Sequence, residues 1–174
     1  MGVSSMTCRE RVRVALDHKQ PDRVPVDFGS TMVTGISVSV VLRVRKALGL
    51  DNPGDRVKVI EPYQMLGEIA DDLRDRLLID CVGLFGTKNM FGFENRDWKE
   101  WTMFDGTPVL VPRLFNTEPD EYGNIPMYAG GDKAYPPAAV MPKGGFYFDS
   151  TDRQKPIDDS LLDVNDNLEE FGLY

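Results

Sequence analysis

Three short apolar runs, separated by two longer stretches of helical periodicity, constrain this chain more than any other feature. The runs are Arg23-Val24-Pro25-Val26-Asp27-Phe28, Val57-Lys58-Val59-Ile60 and Ile79 to Phe85. Each has the length of a buried strand, and the first carries its proline near its beginning, where a missing N–H is tolerated. Between the first two, Val41, Val44 and Leu48 share one face of a helix over Ile36 to Leu48, with Gly49 as its stop. The alternation Ser37-Val38-Ser39-Val40 pulls the start of that segment toward strand. Between the last two runs, Leu66, Ile69, Ala70, Leu73 and Leu77 form a helical stripe, with Asp71, Asp72, Arg74 and Asp75 largely outside it. This β-α-β-α-β order predicts parallel neighbours joined by right-handed crossovers, hence an α/β sheet or barrel.

The flanking segments read differently. Thr7 and Glu10 have the spacing of a capping box, which predicts a helix carrying Val12, Ala15 and Leu16 on one stripe and stopping before Pro21. Beyond Asn89 helical periodicity vanishes. Trp101 to Phe104, Asp105-Gly106 and Val109 to Val111 predict a β-hairpin with a lengthened loop, and a similar turn surrounds Tyr122-Gly123-Asn124. Residues 130–156 are crowded with Gly, Pro and charge, and Leu161 to Tyr174 reads as a linker entering a helix. The chain thus divides into βα units over 1–90, a hairpin insertion over 91–130 and a loop-rich segment over 131–174.

A net charge of −8, with Lys and Arg interleaved among Asp and Glu, argues against a nucleic-acid partner. No run approaches the ~18 apolar residues of a membrane span and no secretion signal opens the chain, so a cytoplasmic protein is expected. Cys8 and Cys81 form no CxxC pair, and neither a disulfide framework nor a metal-ligand set is expected in these residues.

Thr7-Cys8-Arg9-Glu10-Arg11-Val12 through Ala15-Leu16-Asp17-His18, followed by Pro21-Asp22-Arg23-Val24-Pro25-Val26, resembles the N-terminal signature of the uroporphyrinogen decarboxylase-like superfamily, which includes corrinoid-dependent methyltransferases. Pro62 to Glu68 and Leu78 to Leu84 extend the resemblance, which covers residues 6 to about 130. It implies a partial (β/α)8 TIM-type barrel: the first three βα units plus a β-hairpin insertion. A complete barrel needs about 250 residues and eight strands. Half of one leaves an open sheet edge that would pair with the missing half, a second polypeptide or a second copy.

In such a barrel the site lies at the carboxyl ends of the strands. The positions so placed are Asp27, Phe28, Ser30, Thr31 and Thr34 after the first run, Glu61, Tyr63 and Gln64 after the second, and Thr87, Lys88 and Asn89 after the third. Of these, Asp27, Phe28, Ser30, Thr31, Gln64, Thr87 and Asn89 are the expected substrate contacts; turn chemistry accounts for Ser30, Thr31 and Thr34 equally well. No catalytic residue is assigned. His18 precedes the first strand, and Cys81 and Asp80 begin the third, so they are expected to face away from the site.

The resemblance implies, for true decarboxylases, an arginine-rich loop after the first strand that neutralises substrate carboxylates. Residues 28–35 here contain no arginine, and Gly86-Thr87 stands where those enzymes place an aspartate. The branch without those arginines is methyltransferase-like, moving a methyl group between a corrinoid and a thiol or folate-like acceptor. Its zinc ligands belong to the second half of the barrel, so zinc and a corrinoid are expected only of a full-length protein, and this chain alone is expected to be inactive. The alternatives are a uroporphyrinogen decarboxylase-type carboxy-lyase, a non-catalytic subunit of a split barrel that binds a corrinoid protein, and an unrelated small α/β binding domain.

Overall fold

The capping box opens the first helix as its spacing requires. In a computed structural model that describes residues 6–151, Thr7 Oγ1 accepts the Glu10 N–H at 3.2 Å and the Glu10 carboxylate accepts the Thr7 N–H at 2.9 Å, starting α1 (Cys8–Leu16). His18 closes it in the left-handed region at φ 55°. The expected apolar stripe is not its buried face: Arg11 is the residue buried, while Leu16 is 75% exposed. None of α1 joins the hydrophobic core.

The remaining elements are α2 (Val38–Ala47), β1 (Val57–Glu61), β2 (Leu66–Gly67), α3 (Asp71–Arg76), β3 (Lys99–Thr102), β4 (Pro108–Val111), β5 (Ile125–Met127), a 3-10 turn (Ala129–Gly131), β6 (Ala139–Met141) and β7 (Asp149–Ser150). They form two small sheets, ordered β2-β1-β4-β3 and β5-β6-β7, and neither closes on itself. The class is mixed α/β. Strand β1 is central: β2 folds back on it antiparallel, and β4 runs parallel to it with Val57 opposite Val109 and Lys58 opposite Leu110. Helix α2 lies over the β1–β2 edge, packed so closely that a Cβ on Gly67 would stand 2.9 Å from the Val38 Cα. Side-chain burial thus overrides the strand-like alternation of residues 37–40. The sheets share one core, bridged by a train of rings in which Phe148 meets Phe91 and Phe115 edge-on, each at 5.7 Å between centroids.

Four expectations fail. Residues 24–28 and 79–85 are not strands, so β1 has no parallel neighbour on either of them; the parallel pair comes from the hairpin instead. The two segments do lie together, joined by one backbone bond from Asp80 N–H to Val26 O at 2.8 Å. Parallel strands need both faces covered, yet Val24 is 78% and Leu84 100% exposed, and Pro25 has no N–H to give. The helix expected from Leu66 to Leu77 shrinks to Asp71–Arg76. A turn at Met65, with φ 56°, sends Leu66 and Gly67 back along β1, where pairing outweighs helical periodicity. The hairpin forms with Trp101 opposite Val109, whereas the strand after the 122–124 turn pairs forward with β6 rather than back on itself. Residues 130–151, read as loop, supply β6 and β7. The segment Leu161 to Tyr174 lies outside the described residues.

The N-terminal elements are held by charge rather than by apolar contact. The Asp80 carboxylate, with no exposed side-chain surface, accepts Arg11 Nη1 at 2.5 Å, Arg23 Nη1 and Nη2 at 2.7 and 3.0 Å, and the Val26 N–H at 2.8 Å. Arg11 forks onto Asp22 at 2.6 and 2.9 Å, and Arg23 also donates to Leu78 O. Burial works to raise the Asp80 carboxyl, but the Val26 N–H, the two guanidinium groups and Cys8 overcome it and hold the group below the ordinary aspartate range. Carboxylates depressed in the folded state stabilise it above their unfolded pKa, and that stability is lost as pH falls through the folded value. Replacing Asp80 with Ala is therefore expected to cost about 3 kcal/mol at pH 7, the loss of a partner from a buried ion pair. Urea unfolding should show this deficit shrinking as the pH is lowered below the aspartate range; a deficit independent of pH would exclude the charge network as its origin.

Candidate functional site

Strand alternation places Val57, Val59 and Glu61 on one buried face of β1, so the strand ends on an inward carboxylate. Glu61 is 4% exposed, and its two oxygens accept the N–H groups of Tyr63 at 3.0 Å and Gln64 at 2.7 Å. The side chain thereby caps the turn that carries the chain into β2. One residue earlier, the Ile60 carbonyl accepts Asn95 Nδ2 at 2.6 Å; Asn95 Oδ1 accepts Asn89 Nδ2 at 2.9 Å, and Asn89 Oδ1 accepts the Phe91 N–H. An amide relay thus finishes the carboxyl end of β1 where the sheet stops.

Two adjoining cavities open at this end and share Ile60 and Phe85. One, of about 230 Å³, is walled by Met32, Glu61, Lys88, Asn89, Met90 and Asn95. The other, of about 270 Å³, lies between Phe28, Ile69, Cys81, Val82 and the Glu68–Arg74 stretch. Phe28 and Asn89, two of the residues expected to contact substrate, line these cavities. The other five do not. Asp27 accepts the Ser30 N–H at 3.2 Å within an exposed turn. The Thr31 and Thr34 hydroxyls bond each other at 3.0 Å and each accepts the other's N–H, which is turn chemistry. Gln64 and Thr87 line neither of these two cavities, and Gln64 contributes its backbone N–H to Glu61.

Cys81, expected to face away, lines the second cavity because residues 79–85 are not a strand and carry no strand alternation. Burial, with the charges of Asp27 and Asp80 and the neighbouring Cys8, pushes its thiol up, so it stays protonated and is a weak nucleophile. Asp80 serves the N-terminal charge network. The participation of Asn95 was not legible from strand order, since it reaches the site from beyond the third apolar run. A cluster of three or more His, Cys, Asp or Glu side chains able to hold a metal ion does not occur among the described residues. None of the described helices is long and apolar enough to cross a membrane.

The chain matches no family model, no curated protein and no solved structure. What the site offers chemically is a buried carboxylate, two carboxamides and one ammonium beside methionine and phenylalanine side chains. The first cavity thus sets polar groups beside an apolar wall, and its lining contains no nucleophile paired with a base. Glu61→Ala strands two N–H groups and is expected to lower stability by about 2 kcal/mol, whereas Thr87→Ala should stay within about 0.5 kcal/mol of the parent in denaturant unfolding. Equal effects would remove Glu61 from its place as the organiser of this end of β1.

Proposed function

We propose that this chain is the N-terminal part of a uroporphyrinogen decarboxylase-like enzyme of the methyltransferase-like branch, acting on a small molecule in a cleft that a further stretch of polypeptide completes. The observation that carries this reading is an uncovered apolar wall beside the cavities. Leu84 is fully exposed, Val82 64% and Phe85 47%, and across from them Val24, Met32 and Val33 are exposed too. Among the described residues, the backbone of 82–86 makes no hydrogen bond to other backbone groups. Bare apolar side chains with unpaired peptide groups are the signature of a surface that another strand covers.

Methyl transfer is favoured over decarboxylation by the disposition of arginine. Residues 28–35 hold none; Arg11 and Arg23 are consumed by Asp22 and Asp80, and Arg74, which lines the cavity beside Phe28, pairs with Asp71 at 2.9 Å. A substrate bearing several carboxylates would find no unpaired guanidinium there, and Lys88 as the single cation of the adjoining cavity. Zinc and a corrinoid belong, in this reading, to the completed protein, with the zinc ligands on the covering polypeptide; a cytoplasmic location goes with it. The deciding experiment reconstitutes this chain with the polypeptide that covers the wall, then measures zinc content, corrinoid binding by visible absorbance and methylation of a thiol. The expected result is zinc-dependent methyl transfer by the assembly and none by the chain alone. Decarboxylation of uroporphyrinogen by the same assembly would overturn the reading, and corrinoid-protein binding without turnover would replace it with a non-catalytic subunit.

A further inference from the structure

A second groove adjoins the mouth of β1, beyond the carboxyl end of the parallel β4 and the start of β3, against the 3-10 turn. The pairing of the hairpin continues past β4, because Arg113 N–H donates to Arg96 O at 3.1 Å. The 3-10 turn closes the other side: Gly130 N–H donates to Phe91 O at 2.6 Å, and a Cβ on Gly131 would stand 2.8 Å from the Leu114 Cβ. Two cavities, of about 290 and 170 Å³, meet at Arg113 and Leu114. The charge they hold is opposite to that of the chain. The carboxylates lining them are largely paired: Glu94 and Asp97 share Arg96 at 3.0 and 3.9 Å, and Glu118 meets Lys133 at 2.5 Å. Lys88, Lys99 and Arg113 remain, with no carboxylate partner among the described residues.

Lys99 is the telling member. Burial, and the ammonium of Lys133 nearby, hold its amine below the ordinary lysine range despite an opposing pull from Glu118. A partly desolvated cation without a partner is costly, and an anion seated against it removes that cost.

We propose that this groove binds a small phosphorylated molecule, its phosphoryl group gripped by Arg113 between Lys99 and Lys88. A phosphoryl group carries about −1.5 to −2 charge at pH 7, which suits three cations better than a single carboxylate does. The guanidinium fork supplies two parallel N–H donors to its oxygens, and the lysines act as point charges on either side. A long polyanion is disfavoured because the chain carries −8 overall. This assignment stands apart from the methyl-transfer reading, since it uses only Lys88 from the walls of the β1 cavities.

Calorimetric titration of the full chain with pyrophosphate at about 50 mM salt tests it directly. The expected result is a dissociation constant below about 100 µM, weakened at least about tenfold by Arg113→Gln and by Lys99→Met. Lys46→Gln and Lys143→Gln, which remove unpaired cations elsewhere on the surface, should leave it within about twofold. Arg113 is exposed, so its variant reads binding even if the Lys99 variant does not fold. Failure to bind pyrophosphate, equal losses from the two distant lysines, or succinate binding as tightly as pyrophosphate would each overturn the proposal.

Discussion

The parallel contact between β1 and β4 is the interaction on which the rest of the structure hangs. It sets Val57 and Val59 against Val109 and Val111, all buried, and makes β1 an inner strand with partners on both sides. An inner strand has its backbone groups spoken for along its length, so its carboxyl end must find other partners where the ladder stops. Asn95 and Glu61 meet that need, one for the Ile60 carbonyl and the other for the turn that follows. The cavities open there for the same reason. The other side of the contact matters as much, because β4 runs on into Arg113 and so carries the cationic groove as well.

The segment 6–28, ahead of α2, is an appendage of a different kind. It reaches the body through Asp80, whose side chain takes the Val26 N–H that a neighbouring strand would otherwise take, and whose own N–H answers Val26 O. One aspartate thus imitates one rung of a parallel ladder while two arginines neutralise it. Such an anchor is specific in direction yet weak in apolar burial, which is why Val24, Val82 and Leu84 remain in solvent beside it.

What was legible in the sequence followed the reach of the forces involved. The capping box, the α2 face, the β1 run and the hairpin around Asp105-Gly106 are local signals, and each formed where spacing and turn chemistry placed it. The partner of β1 was not legible, because apolar runs at 24–28 and 79–85 advertise strands without saying what covers them. Leu66 misled for a related reason: its helical spacing from Leu73 is real, but the Met65 turn gives it to β1 first. Of the positions expected after the three runs, Phe28 and Asn89 line the cavities at the end of β1, the one run of the three that forms a strand. Asn95 and Cys81 were not legible, the first because its approach depends on the loop beyond residue 89 and the second because strand alternation was assumed where no strand exists.

The two polar regions are built on opposite principles, and that difference separates their chemistry. At the mouth of β1 the carboxylate and amides are already satisfied by backbone and by one another, a network complete without a ligand. In the groove beyond β4 the acids are largely paired while Lys88, Lys99 and Arg113 have no carboxylate partner among the described residues, so cations prevail there. Lys88 stands on both walls. The two regions therefore share one cation, at the carboxyl ends of the parallel pair β1 and β4.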